Sequence, residues 1–321
     1  AILRDGVTLR VGIEPDSGGW SVNAYSFRSY DLGLTGPFRS ADLVGNGKLD
    51  VIGVVDDNNT PTITGWWFIA GDDGPSLQRA ASIPTEPGYL LDFAHCGNNV
   101  YALVSGEGGS AIHRVRIQPS EGNFDLEKVW ASPLQTEAEF IACGSATPST
   151  FGLAAANSNG DWIVYQNDKT EVGAGNNGPT AGIVMADSDG DGFDEVYSCD
   201  VVDCQMASAD FDGDGLDEYV TSSSTTTITS SRGQQTLLTS GHIHIDDMNS
   251  DGRPDLALFD ETRGTLSIHQ GLRSGVAPGV SIKTERPVDG PAFLGDVDRD
   301  GTLEFISVDA DGKLIHTRTG D

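Results

Sequence analysis

Apolar residues along this chain come in short runs rich in Val, Ile, Thr, Tyr and Phe, bounded by Gly, Asp, Asn and Ser. Such runs read as β-strands joined by turns, and no long apolar stripe with a helical period interrupts them. The pattern predicts an all-β fold. "GIVMAD", "HIHIDD" and "PAFLGD" each lead into an acidic turn, and "EVYSC" and "EFISV" lead out of one. A further strand is predicted in "GWWFIAG", "DWIVYQ", "TLSIHQG" and "KLIHTRT".

The acidic turns recur. "ADLVGNGKLDVIGV" begins at Ala41, "ADSDGDGFDEVYS" at Ala186, "ADFDGDGLDEYVT" at Ala209, "DDMNSDGRPDLAL" at Asp246 and "GDVDRDGTLEFIS" at Gly295. All share the form D-x-x-x-[DN]-G-x-x-[DE]. Two weaker copies begin at Asp92 and Glu139, with Cys96 and Cys143 at the fifth position. The first positions are then 42, 92, 139, 187, 210, 247 and 296, mostly 47 to 50 residues apart. That period fits the four-stranded blade of a β-propeller. Residues 1–321 are therefore expected to form a single β-propeller domain of seven blades. The 23 residues between Asp187 and Asp210 hold little more than a hairpin, so six blades with an extra calcium hairpin is the alternative. Residues 1–40 contain "GVTLRVGIE" and "WSVNAYSFRS" and are expected to complete the last blade. N- and C-terminal strands would then close the ring within one blade, leaving no open edge.

The spacing of the acids carries chemistry. In the third full copy, positions 1, 3, 5 and 9 are Asp210, Asp212, Asp214 and Glu218, Leu216 offers a carbonyl at position 7, and Asp217 is left to face solvent. Gly215 at position 6 permits a sharp turn. Calcium takes six to eight oxygens at roughly 2.3–2.6 Å, and such a loop can converge on one ion. Asp187, Asp189, Asp191 and Glu195 with the Phe193 carbonyl repeat the set. So do Asp247, Asn249, Asp251 and Asp255 with Arg253, and Asp296, Asp298, Asp300 and Glu304 with Thr302. The first copy keeps Asp42, Asn46, Asp50 and the Lys48 carbonyl, but Val44 cannot ligate. Four calcium sites and a weaker fifth are expected. An EF-hand would end on a glutamate at position 12 between helices. Dockerin repeats also pair calcium loops, but "EVYSC" and "EYVTSSSTTTITSS" are poor helices.

On these motifs the chain resembles the FG-GAP/VCBS repeat family, which includes the integrin α-subunit propeller and many secreted proteins. The likeness covers about residues 36–321 and is specific at five loops. It implies a propeller with structural calcium in the hairpin loops between inner and second strands. Cys96 and Cys143, one period apart in the two loops that lack the calcium-ligand set, suit a disulfide between neighbouring blades. Cys199 and Cys204 in "CDVVDC" suit a small closed loop. Four buried thiols are the alternative.

Charge narrows the partners. With 19 basic and 48 acidic residues the net charge is -29, which excludes nucleic acid and anionic membrane surfaces as partners. No apolar run is long enough to span a membrane, and "AILRDGVTLR" does not read as a signal peptide. Nucleophile-elbow, zinc-protease and P-loop motifs are missing. His242 and His244 share a strand face, as channel-facing residues or a metal or pH-sensitive pair. Asp92, Glu137 and Glu139 form no informative carboxylate pair, and Asn58 in "NNT" is a glycosylation acceptor if the source is eukaryotic and secretory. Trp66, Trp67 and Trp162 are candidate ligand platforms, while Trp20 and Trp130 are also strand-like; packing between blades is the alternative for each. The expectation is a calcium-stabilised, secreted or cell-surface recognition module, lectin- or adhesin-like, for a glycan or an extracellular protein. A polysaccharide lyase or hydrolase, or a structural propeller within a larger surface protein, are the rival readings.

Overall fold

The computed structural model describes residues 6–14, 19–31, 34–41, 50–57, 60–69, 76–84, 88–96, 99–106, 109–118, 123–131, 138–147, 150–166, 170–202, 204–249, 251–260, 262–283, 292–295, 304–308 and 313–317. Among them there is no helix. β1 (Gly6–Glu14) and β2 (Gly19–Asp31) form a hairpin. β3 (Leu34–Ala41), β4 (Asp50–Asp57), β5 (Thr60–Ile69) and β6 (Ser76–Pro84) make an antiparallel sheet. The next comprises β7 (Gly88–Cys96), β8 (Asn99–Gly106), β9 (Gly109–Gln118) and β10 (Asn123–Ala131). A third comprises β11 (Phe140–Thr147), β12 (Thr150–Ala156), β13 (Asp161–Gln166) and β14 (Thr170–Asn176).

β15 (Gly182–Ala186) and β16 (Glu195–Cys199) form a two-stranded sheet. β17 (Gln205–Ala209), β18 (Glu218–Ser222), β19 (Thr226–Ser230) and β20 (Gly233–Leu237) restore the four-stranded pattern. After β21 (His242–Asp246), β22 (Asp255–Asp260) and β23 (Thr265–His269) comes a small hairpin, β24 (Gly271–Leu272) and β25 (Gly275–Val276). β26 (Val280–Lys283) then pairs back on β23. Finally β27 (Ala292–Gly295), β28 (Glu304–Val308) and β29 (Lys313–Thr317) join the N-terminal hairpin in the order β1-β2-β29-β28-β27. The N-terminal share of this sheet ends at Asp31. Leu34–Ala41 opens the following sheet, so the expectation that residues 1–40 all belong to the last blade needs correcting.

The first strand of each sheet lies against the first strand of the next, in the order β3, β7, β11, β15, β17, β21, β27. Strand alternation explains how the sheets stack. In β8, Val100, Ala102 and Val104 pack with Ile52, Val54 and Ile63 of the preceding sheet. The intervening Tyr101 and Leu103 pack with Ile141, Leu153 and Ile163 of the following one. Side chains of one strand point to opposite faces, so each interior strand serves two cores. Ile183 and Met185 of the short hairpin meet Ala154 and Val164. Phe211, Val220 and Ile228 meet Leu256 and Leu258.

Both expected disulfides are present. Cys96 and Cys143 tie β7 to β11 with Cα atoms 5.8 Å apart, and Cys199 and Cys204 close a short loop at 6.3 Å. Two disulfides and no free cysteine point to an oxidising compartment. Among the described residues, no helix is long and apolar enough to cross a membrane. A cross-link restricts the unfolded chain more when it closes a longer loop: about 4 kcal/mol for the 47-residue separation against about 2 kcal/mol for the 5-residue one. Cys96→Ala/Cys143→Ala is therefore expected to lose more stability in urea than Cys199→Ala/Cys204→Ala.

Candidate metal loops

Three of the acidic turns lie within the described residues, the third but for Ser250, and each joins the first and second strands of a sheet. Asp187–Glu195 links β15 to β16, Asp210–Glu218 links β17 to β18, and Asp247–Asp255 links β21 to β22. All three are wound alike. The first aspartate turns inward, and its Oδ2 accepts the N–H of the position-6 glycine: Gly192 at 3.0 Å, Gly215 at 2.9 Å, Gly252 at 2.8 Å. Its Oδ1 takes a second N–H: Gly190 at 2.8 Å, Gly213 at 2.7 Å or Asp251 at 3.0 Å. Position 3 accepts from position 5, and position 5 from position 7, by the short Asx bonds that these side chains favour. The position-6 glycines have φ of 84°, 90° and 85°, a left-handed backbone that a Cβ would strain.

The acid at position 9 closes each loop from the strand side. Glu195, Glu218 and Asp255 accept the position-2 N–H at 3.3, 2.9 and 3.0 Å. Asp255 also accepts the N–H of Gly271 at 2.8 Å. Two sets of carboxylates converge: Asp187, Asp189 and Asp191, and Asp210, Asp212 and Glu218, each with oxygens within 4.8 Å of one another. Two oxygens on opposite sides of a calcium ion would lie roughly 4.6–5.2 Å apart. The donors are hard oxygens throughout, so the residues fit a calcium-like ion rather than a thiophilic metal. Asn249 replaces one acid in the third loop.

Burial makes the position-9 charges of the second and third loops costly without a cation. Glu218, 2% exposed, is pushed up to about 7 by desolvation, with Asp212, Asp210 and Asp214 adding to the shift against the Phe211 N–H. Asp255 is raised to about 6 by burial and Asp251, despite the Gly271 N–H.

Adjacent loops are bonded to one another. Asp217 is half-buried rather than facing solvent: its N–H donates to Asp187 O at 2.8 Å and its carboxylate accepts the Asp187 N–H at 3.4 Å. Asp194, at the same position one loop earlier, clasps Ser145 through its own N–H at 2.9 Å and its carboxylate at 2.8 Å. Burial raises the Asp194 carboxyl to about 6. Leu216 lies over Gly190, where a Cβ would come within 2.7 Å of it. Tyr197 and Tyr219 stack behind the loops with centroids 4.2 Å apart. These contacts account for the 23-residue interval: the β15–β16 hairpin carries a loop and little else, and leans on the next sheet.

Other expected residues fall out differently. Asp50 is fully buried at the start of β4. Asp42, Asn46, Lys48, Asp296, Asp298, Asp300, Thr302, Asn58 and Glu137 lie outside the described residues, as do the side chains of Glu304, Trp20, Trp67 and Trp130. Trp66 is 4% exposed and packs inside, so it offers no face to a ligand. Trp162 lies on the β14 backbone, where a Cβ at Gly175 would come within 2.5 Å of its ring, and its N–H donates to Asn177 at 3.1 Å. Glu139 accepts from Ser158 Oγ at 2.7 Å. His242 bonds Gln205 and, with Asp92, lines a cavity of about 460 Å³ among β7, β11, β15, β17 and β21.

The architecture is that of a propeller-like, all-β protein. In the solved structure of BBS1N in complex with ARL6DN, soaked with lead, a β-propeller superposes with a TM-score of 0.55 over 98% of both chains, at 12% identity. A crystal structure of glucose dehydrogenase gives 0.51 over 92% of this chain and 99% of that one, at 13% identity. At such identities the likeness is one of fold alone. No protein-family model and no curated protein matches the chain.

The raised carboxyls set a pH dependence. In the unfolded chain these groups titrate near their ordinary values of 3.8 and 4.5; in the folded state Asp194, Asp255 and Glu218 hold their protons up to about 6, 6 and 7. A raised folded value stabilises the fold at low pH and loses that contribution as pH rises through it. In chelator, the melting temperature is expected to fall as the pH is raised from 5 to 7.5, and Glu218→Gln to flatten the upper part of that slope.

Proposed function

We propose that the chain is a calcium-stabilised β-propeller of the FG-GAP/VCBS kind, working as a recognition module outside the cell. The observation that carries this reading is the common winding of three acidic loops, all at the junction of first and second strands, with all-oxygen donor sets. In this reading the ring has seven radial positions, one reduced to the β15–β16 hairpin, and closes where the sheet that ends in β27 meets β3. Residues at positions 1, 3 and 5, the position-7 carbonyl and the position-9 acid would hold each ion. A bound ion would offset the converging negative charge of each loop. The Asp42 and Asp296 loops would add a weaker and a full site.

Recognition is favoured over catalysis by how the acids are used. Among the described residues, the converging groups of three or more metal-ligating side chains are the two loops themselves, and their oxygens already order backbone. Of the two ligand classes, an extracellular protein fits better than a glycan, because Trp66 is buried and Trp162 lies against its own sheet. Secretion or surface display agrees with the disulfides.

An ion bound only to the native state stabilises it by mass action, by about 2.7 kcal/mol per site at a hundredfold excess over Kd. Excess chelator is expected to lower the melting temperature by several degrees, and added calcium, but not sodium, to restore it. An unchanged melting curve would sink the structural-calcium reading. A glycan array and a cell-surface protein array separate the ligand classes: protein hits with a silent glycan array are expected, and turnover of a glycan hit would instead favour a lyase or hydrolase.

A further inference from the structure

The second loop differs from its neighbours in having a cation of the protein's own. Arg232 sits in the turn between β19 and β20, its N–H bonded to Ser230 Oγ at 3.1 Å. Its guanidinium reaches back to the acidic loop, Nη1 to Asp212 Oδ2 and Nη2 to Asp214 Oδ2 at 2.7 Å. Nη1 also donates to the carbonyl of Arg273 at 3.2 Å. These are the outer carboxylate oxygens, since each Oδ1 accepts a backbone N–H as in the other loops.

The matching oxygens elsewhere have different surroundings. Asp251 Oδ2 of the third loop takes the neutral donors Asn249 Nδ2 at 3.1 Å and Gln270 Nε2 at 3.2 Å. Asp189 and Asp191 of the first loop have no basic partner among the described residues. Beside the second loop lies a cavity of about 150 Å³, with Asp212, Glu218, Arg232 and Gln235 in its wall. At about 30 Å³ per water it has room for roughly five, enough for a partly hydrated ion once the guanidinium swings out. Arg232 is free to do so, its side chain being 56% exposed.

We propose that Arg232 is the built-in counter-ion of the second loop and sets the order in which the loops fill. The Asp187 loop takes a divalent cation first, and the Asp210 loop takes one only in competition with the guanidinium. The inference rests on the calcium reading above. Arginine stays charged at every physiological pH, so the competition is permanent. A divalent ion among Asp210, Asp212 and Glu218 must either tolerate the nearby positive charge or release its two carboxylate bonds.

Calcium titrations of the full chain by calorimetry, with melting temperatures in parallel, test this. The wild type is expected to show a tight class of site that Asp189→Asn weakens and a weak class that Asp212→Asn weakens. Arg232→Gln should tighten the weak class at least about tenfold, equivalent to about 1.4 kcal/mol, and leave the tight class unchanged. Arg232→Lys, which keeps the charge, should stay closer to wild type than Arg232→Gln. Identical isotherms for wild type and Arg232→Gln would overturn the proposal while leaving the calcium reading intact. Absence of calcium uptake by every one of these proteins would overturn both.

Discussion

The inward-turned aspartate at the head of each described acidic loop is the interaction on which the rest depends. Its two oxygens gather N–H groups from the chain that follows, and the position-6 glycine supplies the turn that brings those groups back. Every backbone N–H needs an acceptor, and in so tight a turn no ladder partner is within reach. The carboxylate fills that need and so fixes the hairpin between first and second strands. The same winding gathers three or four like charges in a small volume, and that repulsion is what the proposed counter-ion would relieve.

The hydrogen-bonded Asp187 loop serves as a docking surface for the next one. Asp217 and Asp194 each use the N–H and carboxylate of a single residue to clasp preceding backbone, at the Asp187 loop and at Ser145 of β11 respectively. Leu216 over Gly190 adds an apolar contact to one of these clasps. At an earlier junction the link is covalent: Cys96, the last residue of β7, is bonded to Cys143 within β11. Hydrogen-bonded clasps and disulfides thus perform the same task at successive junctions, holding neighbouring sheets together near their first strands while the apolar wedges behind them exclude water.

Much of this was legible in the chain. The acidic turns, the strands that flank them and both cysteine pairings were legible in alternation and in the recurring motif, whereas the two weaker copies are not turns where the repeat put them: Asp92 lies within β7 and Cys143 within β11. The loop winding was legible too, because its bonds run between residues two to seven apart. The tryptophans were not: Trp66 and Trp162 sit in strands whose alternation is visible, but a strand in a stack of sheets is covered on both faces. Asp217 looked like a solvent residue because nothing in its own loop needs it. Its presence at position 8 in just the two closely spaced loops, with Pro254 in the third, was the available signal.

What the sequence alone determined is therefore the local architecture: hairpins, acidic turns and the hard-oxygen character of their donors. These are set by near neighbours along the chain, through Asx bonds, glycine conformations and a two-residue side-chain period. Tertiary structure decided how the loops differ. Arg232 lies 18 residues from Asp214 and 20 from Asp212, and only the pairing of β18 with β19 and β19 with β20 brings it back over them. Similarly, Asp217 meets Asp187 only because one hairpin leans on the next sheet. The three described motifs, nearly identical in sequence, acquire separate electrostatic surroundings in this way, since charge acts through space while the repeat is written along the chain.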